Sequence, residues 1–167
     1  MRRALYLFFS LAVLAADQIS KAALSLALPE GRILEVAPWF WLVHWRNTGG
    51  VWGTFQNLPH PLKTFLFLLL PVLGMAVLLG LFLKARTGVD RALLACIFGA
   101  ALGNLADRLR LGAVVDYLYF RWPGGPGWPA FNVADAVLSC GLLFLIYRTF
   151  TYPANEGHHA PDPLPHR

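Results

Sequence analysis

Residues 92–109 run Ala92-Leu93-Leu94-Ala95-Cys96-Ile97-Phe98-Gly99-Ala100-Ala101-Leu102-Gly103-Asn104-Leu105-Ala106-Asp107-Arg108-Leu109, apolar as far as Leu102 and polar at the end. At about 1.5 Å per residue such a stretch is roughly 27 Å long, enough to cross a bilayer core as a helix. Three other runs share its length and character: residues 4–28, 62–83 and 133–150. The first is interrupted by Asp17, Gln18, Ser20 and Lys21, and the last has Asp135 near its start. The second contains Pro71, where a kink is expected. Lipid offers the backbone no hydrogen-bond partner, so four helices are the expected spanning elements.

Composition agrees. Of 167 residues, 57% are hydrophobic and 14% charged, against about 25% charged in an ordinary globular domain. That excludes a disordered chain, a coiled coil and a soluble nucleic-acid binder, and no nucleic-acid partner is expected. The net charge of +5 is read as basic residues flanking membrane segments. A single membrane domain is expected over residues 1–151. Residues 152–167, rich in proline, histidine and polar residues, are expected to be a disordered cytoplasmic tail. Cys96 and Cys140 lie in apolar runs, which argues against a disulfide framework and suits small buried hydrophobes. Met1-Arg2-Arg3, an apolar run and Ala15-Ala16 also fit a cleavable leader. Three further spans and the charged group at 17–21 favour a retained first helix.

With the N-terminus inside, the inner pieces are residues 1–3, 84–91 and 148–167. They carry seven Lys and Arg, as many as the much longer outer side. This density places both termini in the cytoplasm. The inner connection is then short, and the outer ones, 29–61 and 110–132, are long. All six tryptophans lie in the outer loops, as interfacial residues do. Ile33–Asn47, rich in aromatic and β-branched residues, is expected to be a strand pair or small sheet on the membrane surface. Pro123-Gly124-Gly125-Pro126-Gly127 suits either a flap over a site or a plain turn.

The polar residues of the spans converge near one leaflet. Asn104 and Asp107 share a helix face, as do Asn132 and Asp135, and Asp116 lies in the loop between these helices. Asp17 and Lys21 are four apart and can pair across one turn. The cluster holds no Ser-His-Asp set, zinc motif or phosphate loop. It does hold carboxylates with amide and basic neighbours. Two facing carboxylates share one proton, and such a pair can hydrolyse an amide by general acid/base catalysis. Simpler roles stand beside these: Asp107-Arg108 as an ion pair at a helix end, Gly99-x-x-x-Gly103 as a packing surface, and Asn132 as a helix N-cap. Asp135 fits a dipole partner at a helix start, but that leaves Asp116 unexplained.

Five blocks resemble the lipoprotein signal peptidases, the bacterial signal peptidase II family. They are Asp17-Gln18-Ile19-Ser20-Lys21; Asn47-Thr48-Gly49-Gly50-Val51-Trp52-Gly53; residues 99–108 with Gly103-Asn104-Leu105-Ala106-Asp107-Arg108; Gly112-Ala113-Val114-Val115-Asp116-Tyr117; and Phe131-Asn132-Val133-Ala134-Asp135. The family usually has alanines where this chain has Gly50 and Val51. The resemblance implies an all-α membrane protein: four transmembrane helices, a small extracytoplasmic β-sheet cradle and a second periplasmic loop. It implies residence in the bacterial inner membrane with the active site toward the periplasm. It implies an aspartyl dyad, Asp116 and Asp135, with Asn47, Gly49, Asn104, Asp107, Arg108 and Asn132 lining the site toward substrate. Asp17 and Lys21 match a supporting motif. The implied substrate is a prolipoprotein cut just before its diacylglyceryl cysteine. No cofactor or metal is expected. The expected partners are that substrate and membrane lipids, and a monomer is expected.

Two other classes compete. A proton-coupled transporter needs acids spread across the bilayer depth, and the inner halves of these spans carry none. A non-enzymatic scaffold that binds through its aromatic loops leaves the Asp116 and Asp135 pairing without a purpose.

Overall fold

The computed structural model describes residues 2–49, 55, 57–122, 124–125 and 127–151. In chain order the elements are α1 (Arg2–Ala27), β1 (Ile33–Ala37), β2 (Phe40–Asn47), α2 (His60–Lys84), α3 (Gly88–Leu111), β3 (Val114–Phe120) and α4 (Val133–Thr151). The four helices are each long and apolar enough to cross a membrane, and they contain the expected runs except Leu28, which lies just past the end of α1. Their outward faces carry exposed apolar side chains such as Leu73, Val77, Leu143 and Phe150. Hydrocarbon, not water, is the solvent that suits such a surface. The fully buried side chains include Asn132, Asp17 and Asp107. The bundle is therefore polar at its heart, where the charges are paired.

Pro71 acts through the turn before it. Residues 65–69 of α2 form a π turn, and the Leu70 N–H donates to the Phe65 carbonyl five residues back. Proline lacks an N–H and crowds the carbonyl four residues earlier, so a wider turn accommodates it. Helix α3 starts earlier than its apolar run because Thr87 caps it: Thr87 Oγ1 accepts the Asp90 N–H at 3.1 Å. Asp90 then binds Arg148 of α4 at 2.6 Å, which explains why charged residues belong to this span's first turn. The helix stops at Gly112, whose φ of 69° lets its N–H return to the Arg108 carbonyl.

Helix α1 packs on α3 through the two glycines of the expected packing surface. A Cβ at Gly99 would overlap the Ser10 carbonyl, and one at Gly103 would overlap the Asp17 carboxylate. Cys140 is exposed on α4, and Cys96 is partly buried. The expectation of two buried cysteines fails for Cys140, because a span's apolar run extends over its lipid-facing side as well as its core side.

The strand pair within Ile33–Asn47 is present as the β1–β2 hairpin. The second long loop, read from the sequence only as a loop, holds a third strand: Val114–Phe120 runs antiparallel to β2, in the order β1-β2-β3. Its β-branched and aromatic residues suit a strand, and pairing Asn47 with Val114 brings the two halves of the chain together. Beyond β3 the chain turns and returns, with Trp128 and Phe131 bonded to the backbone of Phe120 and Leu118. Pro123 and Pro126 of the glycine-rich segment, Gly50 to Gly53 of the second motif block, and the tail at 152–167 lie outside the described residues.

Candidate active site

Asp116 sits in β3, and Asp135 sits in the first turn of α4. Asn132 joins them. Its Oδ1 accepts the Asp135 N–H at 2.9 Å, and its own N–H donates to Asp135 Oδ2 at 3.3 Å. This reciprocal pattern caps the helix. Its Nδ2 meanwhile reaches Asp116 Oδ1 at 2.9 Å, the Val115 carbonyl at 3.2 Å and Asn104 Oδ1 at 3.3 Å. The expected N-cap is therefore also the link between the two carboxylates.

Each carboxylate has a second amide donor. Asn104 Nδ2 donates to Asp135 Oδ1 at 2.7 Å. Asn47 Nδ2 donates to Asp116 Oδ2 at 3.0 Å, and the Gly49 N–H donates to Asn47 Oδ1 and so fixes the amide's orientation. Asp116 is 3% exposed. Burial pushes its carboxyl up to about 7; the neighbouring Asp135 charge adds to this, and the Asn47 and Asn132 hydrogen bonds and Lys21 oppose it. A carboxyl held there exchanges its proton near neutrality, as acid/base work requires.

A buried charged layer supports the amides. Lys21 Nζ binds Asp17 at 2.7 Å, Asp107 at 2.9 Å and Asn104 Oδ1 at 3.0 Å. The pair expected across one turn of α1 is thus part of a three-helix junction. Asp17 Oδ1 also accepts the Ala134 N–H, an orphan donor at the start of α4. Asp107 Oδ2 accepts the Val115 N–H, next to Asp116. Among the described residues, the ion-pair partners of Asp107 are Lys21 and Arg110, at 2.9 and 3.7 Å, instead of the adjacent Arg108. Adjacent helical residues point about 100° apart, so Arg108 leaves that face. Its guanidinium lies 5.7 Å from the centre of the Phe67 ring, and its charge acts on Asp135 and Asp116.

All ten expected residues therefore fall in one connected region, at the sheet end of the bundle. Two further contributors carried weaker signals. Gln18 Nε2 bridges Asp17, the Gly103 carbonyl and Asp107; its marks were its polarity inside an apolar run and its place in the first motif. Phe67 of α2 holds Arg108, and nothing in an apolar run distinguishes it from its neighbours.

Comparison with known proteins agrees with this arrangement. The family model for signal peptidase (SPase) II matches residues 9–151. A lipoprotein signal peptidase of Desulforapulum autotrophicum is 39% identical over 141 residues, which is 81% of this chain and 85% of the relative. One from Pelotomaculum thermopropionicum is 40% identical over 147 residues, covering 86% and 90%. A bacterial membrane enzyme solved by the in meso method at 2.3 Å superposes with a TM-score of 0.76, at 25% identity and 93% coverage of both chains. With four spanning helices and one polar site at their sheet end, this chain belongs to the signal peptidase II family and is a multi-pass membrane peptidase.

Proposed function

We propose that the chain is an aspartyl endopeptidase that removes signal peptides from prolipoproteins by cutting just before a diacylglyceryl cysteine. The observation that carries this reading is the shared anchoring of Asp116 and Asp135 on Asn132, at one end of a membrane bundle. The pair holds one proton between them. One carboxyl is neutral while the other is ionised, and the Asp116 carboxyl, pushed up to about 7, exchanges the proton near neutrality. A water between them loses a proton to the ionised carboxylate as its oxygen attacks the scissile carbonyl. The protonated carboxyl stabilises the developing oxyanion. Return of a proton to the leaving nitrogen breaks the C–N bond and restores the pair. No covalent intermediate and no cofactor enter this scheme.

The depth of the site supports the substrate. A diacylglyceryl group is held in the bilayer by roughly 0.8 kcal/mol per buried CH₂, which fixes the next peptide bond near the headgroups. That restraint supplies much of the orientation a bimolecular reaction would otherwise lack. Arg108, Asn104 and Asn47 stand where they can hold carbonyls of an extended peptide, with Gly49, Asp107 and Asn132 shaping the same wall. Asp17 and Lys21 support it from below. In the proposed orientation both termini are in the cytoplasm, and the sheet and dyad face the periplasm from the inner membrane. One protomer contains the whole site, so a monomer suffices.

The deciding experiment incubates purified, reconstituted protein with a diacylated precursor peptide and with the same peptide lacking lipid. Cleavage before the cysteine of the lipidated peptide alone is expected. Equal cleavage of both, or a cut elsewhere, would overturn the substrate reading.

A further inference from the structure

A cavity of about 400 Å³ opens between α1, the sheet end of α3 and the β2–β3 pair. Val115 lines it and Asp116 does not. Successive strand residues point to opposite faces, so the cavity lies across the sheet from Asp116. Lys21 and Asp107, 4% and 1% exposed, close its inner end, while Arg46 and Arg110, 41% and 64% exposed, stand at its open end.

We propose that this cavity binds the phosphate of an anionic phospholipid headgroup. Three cations and one carboxylate line it. Lys21 is satisfied by Asp17 and Asp107, so the two arginines are the ligand groups. Arg110 lies 3.7 Å from Asp107, longer than a hydrogen bond, and Arg46 pairs with Glu30, itself 53% exposed. The exposed Arg46–Glu30 pair contributes little, and Arg110, 64% exposed, makes no close bond to the buried Asp107, so both guanidinium groups can turn to an anion. Their planar forks match a phosphate's oxygens. The Ser25 hydroxyl lies on the same wall as a further donor.

The surroundings select a lipid over a soluble phosphate. Ala22 and Leu111 line the cavity, and on adjoining turns Ile19, Leu26 and Leu109 are strongly exposed. Acyl chains descending from the headgroup would cover these side chains. Arg110 stands in the last turn of the spanning helix α3, where headgroups lie, and Arg46 of β2 lines the same cavity. The site is separate from the dyad, so its test does not depend on the catalytic reading.

The test uses the full chain in phosphatidylcholine nanodiscs containing a minor fraction of phosphatidylglycerol, with native mass spectrometry to count phosphatidylglycerol carried out with the protein. Wild type should retain it. Arg46→Gln and Arg110→Gln should each weaken retention roughly five-fold, and the double variant more. Arg32→Gln removes an exposed cation from the same end of the molecule without touching the cavity and should change nothing. Failure of wild type to retain the lipid, full retention by the double variant, or an equal loss in Arg32→Gln would each overturn the proposal. Inorganic phosphate at millimolar concentration should not displace the lipid; displacement would overturn the lipid as occupant. Melting curves check that the variants fold, and both arginines are exposed enough to be replaced without a core defect.

Discussion

Asn132 binds Asp116 through its side chain, Nδ2 to Oδ1 at 2.9 Å, from the same position at which it caps the helix bearing Asp135. The start of α4 and the middle of β3 therefore cannot shift independently. Asn132→Ala should lose the cap, at a cost of about 1 kcal/mol, and should also free Asp116 from one of its two amide donors. Cleavage of a lipidated precursor should fall more steeply than the melting temperature. A variant with a normal melting profile and normal rate would show that the link has no catalytic consequence.

Asp116→Asn and Asp135→Asn should each reduce cleavage by roughly 10²–10⁴-fold, the usual contribution of a positioned acid or base. Both should remain folded, because an amide nearly matches the carboxyl in volume. The measurement is the rate on a diacylated precursor beside a thermal melt. Near-normal cleavage by either variant would remove the dyad.

The pH dependence follows from burial. The Asp116 carboxyl rises from the ordinary 3.8 to about 7 in the folded chain. Folding therefore favours its neutral form, and the associated stability is complete below about pH 4 and is lost as pH climbs through 7. An asparagine cannot ionise, so the stability of Asp116→Asn relative to wild type should improve between pH 5 and pH 8, whatever the constant cost of the amide. Cleavage should follow a bell-shaped profile whose alkaline limb falls near 7, reporting the coupled pair. A stability difference that is flat in pH would contradict the buried, neutral Asp116.

Lys21 is the cation shared by Asp17 and Asp107. Lys21→Met should destabilise the fold by about 3–5 kcal/mol, because it leaves buried carboxylates without a counter-charge. Asp17→Asn should lower protein yield and melting temperature more than the rate per folded molecule. An abundant, stable but inactive Asp17→Asn protein would move Asp17 from support into the chemistry.

Four spanning helices were legible because hydrocarbon admits few alternatives: long apolar runs must satisfy their own backbone, and each run became a helix. The strand pair over Ile33–Asn47 was legible from its composition. Helix spacing also placed Asp17 beside Lys21 correctly. The sequence alone thus determined the four helices and the β1–β2 hairpin, and the end of the bundle where the polar residues gather. Tertiary structure decided the partners. β3 is a strand because its register with β2 brings Asn47 to Asp116 across 69 positions of chain. Asp107 chose Lys21 of α1 over the neighbouring Arg108, and Phe67 became the support for Arg108. Local periodicity reports which side of a helix a residue faces, but only the packing of one element on another sets what stands opposite it. In a bundle with buried charges, that opposite group determines the hydrogen bonds and the proton affinity on which the site depends.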